Sequence, residues 1–213
     1  RGVRHIFGLC GHTNIAVLAE LANSRITFVN TRHEQVAAHM ADGYARAKHQ
    51  TAVLLTHLGP GLTNASTGVA NAALDSVPMV VIAGDVPTHY YGKHPHQEVN
   101  LHADASQCDI YRPFVKRAWR VDSPHLFPEI LEKAFALAES GRPGPVLVDV
   151  PMDIFSKEVD VARFERLRLN SKTLAKPSLD EPTAKAVVAK LPEAKRPVLY
   201  VGGGIMLAHA TAA

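Results

Sequence analysis

The chain has 213 residues, of which 46% are hydrophobic and 20% charged, the composition of an ordinary globular protein rather than a disordered or membrane-embedded one. Its formal charge of +3 arises from both signs spread along the sequence, which disfavours a nucleic-acid-binding surface. No apolar run approaches the roughly 20 residues of a membrane span. Without a candidate membrane span, we expect no membrane partner. The two cysteines cannot form a disulfide framework, so we expect a cytoplasmic protein.

Short apolar runs rich in β-branched residues alternate with longer segments of helical period. This pattern predicts an α/β fold, a six-stranded, mostly parallel sheet with helices on both faces. The predicted strands are His5–Gly8, Ile26–Asn30, Ala52–Thr56, Pro78–Ala83, Ala118–Val121 and Val146–Val150. The predicted helices are Asn14–Ala22, Glu34–Ala47, Leu62–Leu74 and Leu126–Glu139.

The alternation of strands and helices ends near residue 155. Residues 156–182 mix charges of both signs and contain Pro177 and Pro182, as expected of a linker between domains. We therefore predict one N-terminal domain over residues 1–155.

A second α/β unit is predicted after this linker. A short helix at Thr183–Leu191, a strand at Val198–Val201 and the glycines Gly202, Gly203 and Gly204 repeat the opening of such a unit. We expect residues 183–213 to be the truncated start of a second domain, which makes the sequence a fragment of a longer protein.

Four loops follow the carboxyl ends of predicted strands, where open α/β sheets bind their ligands. They cover residues 8–14, 30–35, 56–64 and 84–112. In the first loop, Gly8 and Gly11 let the backbone turn and approach a ligand, and Thr13 is placed to cap the next helix. Taken alone, this loop is equally consistent with a plain turn between a strand and a helix.

The other loops also have structural interpretations. Glu34 at a helix N-terminus would favour the helix dipole. The turn at Gly59–Gly61 lacks the lysine and the spacing of a phosphate loop. His94 and His96 are a conceivable metal site, but neighbouring histidines in a loop more often serve as polar lining, so no metal ligand is predicted.

Five sequence blocks occur in a fixed order along the chain. They are Arg32-His33-Glu34-Gln35 with Ala38 to Arg46, Gly59-Pro60-Gly61 with Asn64, Asp75-Ser76 with Pro78, Gln97-Glu98, and Gly141 to Val146. In this order and spacing they resemble the pyrimidine-binding domain of the acetolactate synthase-like family of thiamine diphosphate enzymes. The resemblance spans nearly the whole chain.

This resemblance implies how the cofactor is bound. Glu34 would be the acid that hydrogen-bonds N1′ of the aminopyrimidine and activates the cofactor, while Gly11, Pro60 and Asn64 would contact it. A third domain, which would hold the diphosphate through Mg²⁺, is absent, because its Gly-Asp-Gly motif appears nowhere in the sequence.

The resemblance also implies a second cofactor and self-association. In this family FAD is bound by the arginine of the Arg-Pro-Gly-Pro segment and by glycines of the middle domain, which makes Arg142 and Gly202, Gly203 and Gly204 candidate ligands. Thiamine diphosphate is expected between domains of two subunits, so a homodimer is the smallest working assembly and a homotetramer is common among relatives.

Three polar side chains set the predicted specificity. His12, His57 and Gln97 resemble the branch of the family that hydrolyses cyclohexane-1,2-dione, so we expect cleavage of a C–C bond in a cyclic 1,2-diketone. His57 and Gln97 are candidates for polarising groups and His12 for a proton shuttle. The alternatives are a carboligase or decarboxylase acting on pyruvate, a 2-oxo acid, and a noncatalytic nucleotide-binding module, which Glu34 disfavours.

Overall fold

The computed structural model describes residues 1–99, 106–170, 178–208 and 210. Its centre is a six-stranded sheet in the order β2-β1-β3-β4-β6-β5, with every neighbouring pair parallel. The strands are β1 His5–Gly8, β2 Thr27–Asn30, β3 Ala52–Thr56, β4 Met79–Asp85, β5 Ala118–Arg120 and β6 Pro145–Pro151. The predicted six-stranded α/β fold is confirmed, and no strand end differs from its predicted position by more than two residues.

The helices of the described residues include all those predicted. They are α1 Ile15–Ala22, α2 Glu34–Lys48, α3 Pro60–Leu74, α4 Gln107–Tyr111, α5 Phe127–Glu139, α6 Met152–Phe155, α7 Val161–Asn170, α8 Glu181–Lys190 and α9 Gly204–Leu207. Helix α4 lies where the sequence predicted only loop, because five residues are too few to show helical periodicity. Within the described ranges, no helix has the length and apolar character needed to cross a membrane.

The sheet is covered on both faces, because successive side chains of a strand point in opposite directions. On one face, Phe7 and Leu54 pack with the inner sides of α2, α3 and α4. On the other face, Ile6 and Val53 pack with α1, α5 and α6. This double burial explains why every residue of β3 and β6 is buried and most are apolar.

Helices α2 and α3 lie unusually close to each other at their small residues. A methyl group at Gly68 of α3 would lie 2.5 Å from the Cβ of Ala38 in α2. Ala41 and Ala72 are also fully buried in this cluster. The alanine-rich sequence of α2 is therefore a packing requirement, and it fixes the first turns of both helices at the carboxyl edge of the sheet.

The chain divides into two compact units, Arg1–Thr173 and Leu174–Ala213. In the first unit, α7 packs along α5, so the predicted linker contains a helix that tertiary contact stabilises. In the second unit, Asp180 caps α8 by accepting a hydrogen bond from the backbone N–H of Thr183. The boundary between the units falls within residues 156–182.

The predicted strand Val198–Val201 is absent from the second unit. Its four residues have no strand pairing, and their side chains are between 58% and 100% exposed. A strand requires a hydrogen-bonded neighbour, and no described residue supplies one. An apolar run of this kind forms a strand only where a neighbouring strand is available to pair with it.

Candidate active site at the carboxyl edge of the sheet

The candidate site lies where the strand order reverses. The chain leaves β1 towards β2 on one side, whereas β3 pairs with β1 on the other, so the loops after β1 and β3 flank a crevice. Gly11 and His57, from these two loops, are in contact. A Cβ at Gly11 would lie 2.4 Å from Cγ of the His57 ring. Only glycine fits here, because the imidazole occupies the space of a side chain.

Glu34 is the buried acid of this site. It is the first residue of α2 and is 6% exposed. Its Oε2 accepts a hydrogen bond of 3.1 Å from Nδ2 of Asn64, the fifth residue of α3. Its Oε1 has no hydrogen-bond partner among the described residues, and a Cβ at Gly61 would lie 3.4 Å from it.

The His57 ring is held from both sides. Its Nδ1 lies 2.7 Å from Oγ1 of Thr13, and its Nε2 lies 2.9 Å from Oε1 of Gln97. Burial lowers the pKa of His57 below its usual value, and this effect outweighs the opposing effect of the hydrogen bond to Gln97. The imidazole is therefore neutral at neutral pH.

His12 stands beside His57 in an edge-to-face arrangement, with ring centroids 4.4 Å apart. His12 is exposed, and in the part of the chain that the structure describes its ring nitrogens make no hydrogen bond. The predicted helix cap at Thr13 is wrong, because its hydroxyl is engaged by His57. Asn14 closes this turn instead, with Oδ1 accepting from the backbone N–H of Gly11 at 3.0 Å.

Gln97 reaches the site on a tightly folded loop. Its backbone has φ of 67°, a left-handed conformation, and its carbonyl oxygen packs against Gly59. The buried Glu98 carboxylate fixes this loop by accepting hydrogen bonds from the backbone N–H groups of Gly92, at 2.7 Å, and His94, at 2.8 Å. His94 thus contributes to the loop turn through its backbone.

A buried polar network beneath the site was not predicted from the sequence. Oε1 of Gln107 accepts from the backbone N–H of Gly59, while its Nε2 donates to Gly84 O and to Asp149 Oδ1. Gln107 thereby ties together the ends of three strands. Asp149 could have indicated this network from the sequence, because it is an acid within the otherwise apolar sequence of β6.

The same network contains a buried acid pair. Arg120 Nη1 lies 2.5 Å from Asp85 Oδ2 and 3.9 Å from Asp149 Oδ2. Burial raises the pKa of Asp149 well above its usual value and also raises the pKa of Asp85, while Arg120 acts in the opposite direction. The Arg120 guanidinium also lies 3.9 Å from the centroid of the Tyr91 ring.

One predicted ligand of the second cofactor, Arg142, lies away from the crevice. Arg142 precedes β6, at the opposite edge of the sheet, where it donates to Ser76 Oγ at 2.7 Å and to Leu74 O at 2.9 Å. Gly202, Gly203 and Gly204 belong to the second unit, are exposed and lead into α9. Pro60 opens α3 beside the site and is exposed.

No group of three His, Cys, Asp or Glu side chains in residues 1–99, 106–170, 178–208 and 210 is arranged to bind a metal ion. The fold and the crevice define a parallel α/β domain with a buried acid at its ligand-binding edge.

Residues 1–106 match the family model described as thiamine pyrophosphate enzyme, N-terminal TPP binding domain. This part of the chain, from β1 to the loop after β4, is thus similar to the N-terminal domain of thiamine pyrophosphate enzymes, and β5 and β6 complete the same sheet.

The curated relatives give a finer comparison. The chain is 39% identical over 216 residues to the acetolactate synthase of Arthrospira platensis, covering 99% of this chain and 36% of that protein. It is 39% identical over 211 residues to the acetolactate synthase isozyme 3 large subunit of Escherichia coli K12, covering 98% and 36%. It is 35% identical over 216 residues to a probable acetolactate synthase large subunit of Methanocaldococcus jannaschii, covering 99% and 35%. The chain thus spans only about a third of the length of these relatives.

Proposed function

We propose that this chain binds the aminopyrimidine ring of thiamine diphosphate in a thiamine diphosphate-dependent enzyme, with Glu34 as the acid that hydrogen-bonds N1′. The Glu34 carboxyl carries the proposal. It is buried at a helix N-terminus, one of its oxygens accepts from Asn64, and no described residue hydrogen-bonds the other. The second oxygen is therefore free to hydrogen-bond a ligand in the crevice, and a cofactor ring nitrogen would be a suitable partner.

The residues around Glu34 fit such a ring. Gly11 and Gly61 bring backbone rather than side chains to the crevice, which lets a flat ligand approach closely. When bound, thiamine diphosphate supplies a nucleophilic carbon for attack on a carbonyl group. Glu34 would hold a proton at Oε1 for the pyrimidine nitrogen, Asn64 would orient the carboxyl, and Gly11 and Pro60 would line the ring.

The substrate class we propose is a 2-oxo acid such as pyruvate, joined to a second carbonyl compound by carboligation. The names of the curated relatives favour this function over diketone hydrolysis. Mg²⁺ would be bound by a domain outside this chain. FAD would contact Arg142, which uses two of its five N–H donors within the domain, and the glycines Gly202, Gly203 and Gly204.

Hydrolytic opening of a cyclic 1,2-diketone such as cyclohexane-1,2-dione is the second candidate function. It is favoured by the contact between His12 and His57 and by the hydrogen bond from His57 to Gln97. A neutral imidazole N–H can donate to a developing alkoxide, and the exposed His12 can exchange protons with water. Proton transfers of this kind are required for attack by water.

Self-association as a homodimer or homotetramer is part of this proposal, because the family resemblance implies that thiamine diphosphate lies between domains of two subunits. A reducing, cytoplasmic setting is supported by the free thiols of Cys10 and Cys108.

The test uses the full-length protein with thiamine diphosphate and Mg²⁺. We compare wild type, Glu34→Gln and Glu20→Gln, in which the control removes an exposed carboxylate on α1. Glu34→Gln should lose about 100-fold or more in kcat while remaining folded, and Glu20→Gln should retain activity. Full activity in Glu34→Gln, or absence of cofactor binding in wild type, would overturn the proposal.

Product identification by mass spectrometry then separates the two candidate reactions. Acetolactate formed from pyruvate supports the carboligase. A ring-opened six-carbon acid formed from cyclohexane-1,2-dione supports the hydrolase.

A further inference from the structure

We propose that Gln107 is a positioning residue that holds the turn of residues 57–61 in the crevice by accepting a hydrogen bond from the backbone N–H of Gly59. The contact itself does not depend on what the protein binds. Its importance for catalysis rests on the proposed function.

The orientation of the Gln107 amide follows from its two backbone partners. Its Oε1 lies 2.9 Å from the nitrogen of Gly59, and its Nε2 lies 2.8 Å from the oxygen of Gly84. A backbone N–H can only donate a hydrogen bond, and a backbone carbonyl can only accept one. The reversed amide would place donor against donor at Gly59 and acceptor against acceptor at Gly84, so only one orientation satisfies both.

Gly59 depends on the Gln107 side chain for its hydrogen bond. Gly59 is buried, and its φ of 49° and ψ of −105° make a sharp turn between β3 and α3. In the part of the chain that the structure describes, no backbone carbonyl accepts from its N–H. A buried N–H without an acceptor is costly, so Gln107 stabilises this conformation of the turn.

The turn that Gln107 holds contacts the other groups of the site. A Cβ at Gly61 would lie 2.9 Å from Cβ of His57 and 3.4 Å from Oε1 of Glu34. A Cβ at Gly59 would lie 2.2 Å from the backbone oxygen of Gln97. Glu34 and the loop that carries Gln97 therefore pack directly on the backbone of the turn that carries His57. Because a misplacement of about 1 Å can cost about 100-fold in rate, the position of this turn matters for catalysis.

Gln107 is itself held from beneath the turn. It is 2% exposed, and its Nε2 also donates to Oδ1 of Asp149 at 2.6 Å. Gly84 and Asp149 belong to β4 and β6, which pair with each other in the sheet. The amide therefore connects the turn after β3 to two strands that hold each other in place.

Helix α4, which begins at Gln107, is fixed at both ends. The backbone N–H and the hydroxyl of Ser106 donate to Oδ2 of Asp109 at 2.7 and 3.0 Å, which closes the first turn of the helix. At the last residue, the Tyr111 hydroxyl donates to the backbone oxygen of Leu62 in α3 at 2.5 Å. Gln107 and Tyr111 thus each make a buried hydrogen bond from α4 to the backbone, Gln107 to the turn and Tyr111 to α3.

This pair of contacts provides a matched control. Gln107→Met and Tyr111→Phe both remove buried hydrogen bonds of α4 with little change of shape, but only Gln107→Met releases the Gly59 N–H. Gln107→Glu keeps an oxygen opposite that N–H and removes the donors to Gly84 and Asp149. All three variants should lower stability, and they should differ at the turn.

The test measures hydrogen–deuterium exchange in the full-length protein by mass spectrometry, with overlapping peptides that end on either side of Gly59. In wild type the Gly59 amide should exchange slowly. Gln107→Met should raise its exchange rate about tenfold, the effect of losing about one hydrogen bond. Gln107→Glu and Tyr111→Phe should keep slow exchange at Gly59.

The inference would be overturned by a wild-type Gly59 amide that exchanges as in an unstructured chain, or by unchanged exchange in folded Gln107→Met. Equally fast exchange in Gln107→Met and Gln107→Glu would also contradict it, because that result indicates a general loosening of the fold. Should Gln107→Met not fold, Gln107→Glu decides: slow exchange at Gly59 supports the inference, and fast exchange contradicts it.

Activity measurements address the catalytic role separately. Gln107→Met should lower kcat about tenfold, Gln107→Glu should recover part of this loss, and Tyr111→Phe should stay close to wild type. An equal loss in Gln107→Met and Tyr111→Phe would show that stability limits activity, which contradicts a catalytic role for Gln107. The exchange experiment needs neither cofactor nor substrate, so it tests the contact even if wild type has no thiamine diphosphate-dependent activity, the result that would contradict the proposed function.

Discussion

Asn64 donates a hydrogen bond from Nδ2 to Oε2 of Glu34 over 3.1 Å, and so joins the N-terminal halves of α2 and α3. Asn64 is exposed, whereas Glu34 is buried. The contact therefore orients the acid more than it stabilises the fold.

Asn64→Ala should lower activity with little effect on stability. A hydrogen bond between uncharged groups contributes about 0.5–1.5 kcal/mol, which corresponds to a fall of about 2- to 10-fold in kcat/KM. Steady-state kinetics of the full-length enzyme and thermal unfolding would be compared for Asn64→Ala and Thr67→Ala, an exposed position one turn later. Equal kinetics in the two variants would contradict an orienting role for Asn64.

Gly59→Ala should be strongly destabilising for two reasons. Gly59 has φ of 49°, and an added Cβ would lie 2.2 Å from the backbone oxygen of Gln97. Gly141 has a similar φ of 55° but nothing within 4 Å of the added atom. Gly141→Ala should therefore cost about 1 kcal/mol from backbone conformation alone, whereas Gly59→Ala should cost about 2–4 kcal/mol. Chemical denaturation measures both, and equal losses would argue against the contact with Gln97.

Gly68→Ala tests the close approach of α2 and α3. The new methyl group would lie 2.5 Å from Ala38 Cβ, so the helices would have to separate, at a cost of about 1–3 kcal/mol. Gly43→Ala, within α2, meets nothing within 4 Å and should stabilise the protein by about 0.5–1 kcal/mol through helix propensity. Opposite signs of the change in unfolding free energy are expected, and two stabilising changes would refute the packing argument.

Arg120→Met should destabilise the protein in a pH-dependent way. Asp85 and Asp149 have raised pKa values because of burial, so the folded state binds protons more readily than the unfolded one. Their contribution to stability is then greatest at low pH and decreases as the pH rises above about 4. Without Arg120, the charged pair would lack its cation at high pH, with a loss of about 3 kcal/mol near pH 8 and a smaller loss near pH 5.

Urea denaturation at both pH values measures this difference. Arg117→Met is the control, because Arg117 lies on the exposed side over Trp119, 5.2 Å from the ring centroid, and its removal should have a small effect that does not vary with pH. A loss in Arg120→Met that is equal at the two pH values would show that the acid pair does not depend on this cation.

The predictability of the fold has a clear physical origin. Strands buried on both faces are continuous apolar runs, and helices between them show a 3.6-residue period, so β3 and α5 were visible in the sequence. The strand predicted at Val198–Val201 was wrong for the same reason. Apolar pattern marks a segment that can join a sheet, but the hydrogen bonds must come from a neighbour.

The sequence by itself determined the α/β class, the order of the strands along the chain and the family motifs that single out Glu34, Gly11 and Asn64, because periodicity and short motifs are local properties. Only the tertiary structure decided that Thr13 bonds to His57 instead of capping a helix, and that Gln107 joins Gly59 to Asp149. These contacts span more than 40 residues of sequence. They depend on which strands are neighbours in the sheet, an arrangement set by the packing of the whole domain.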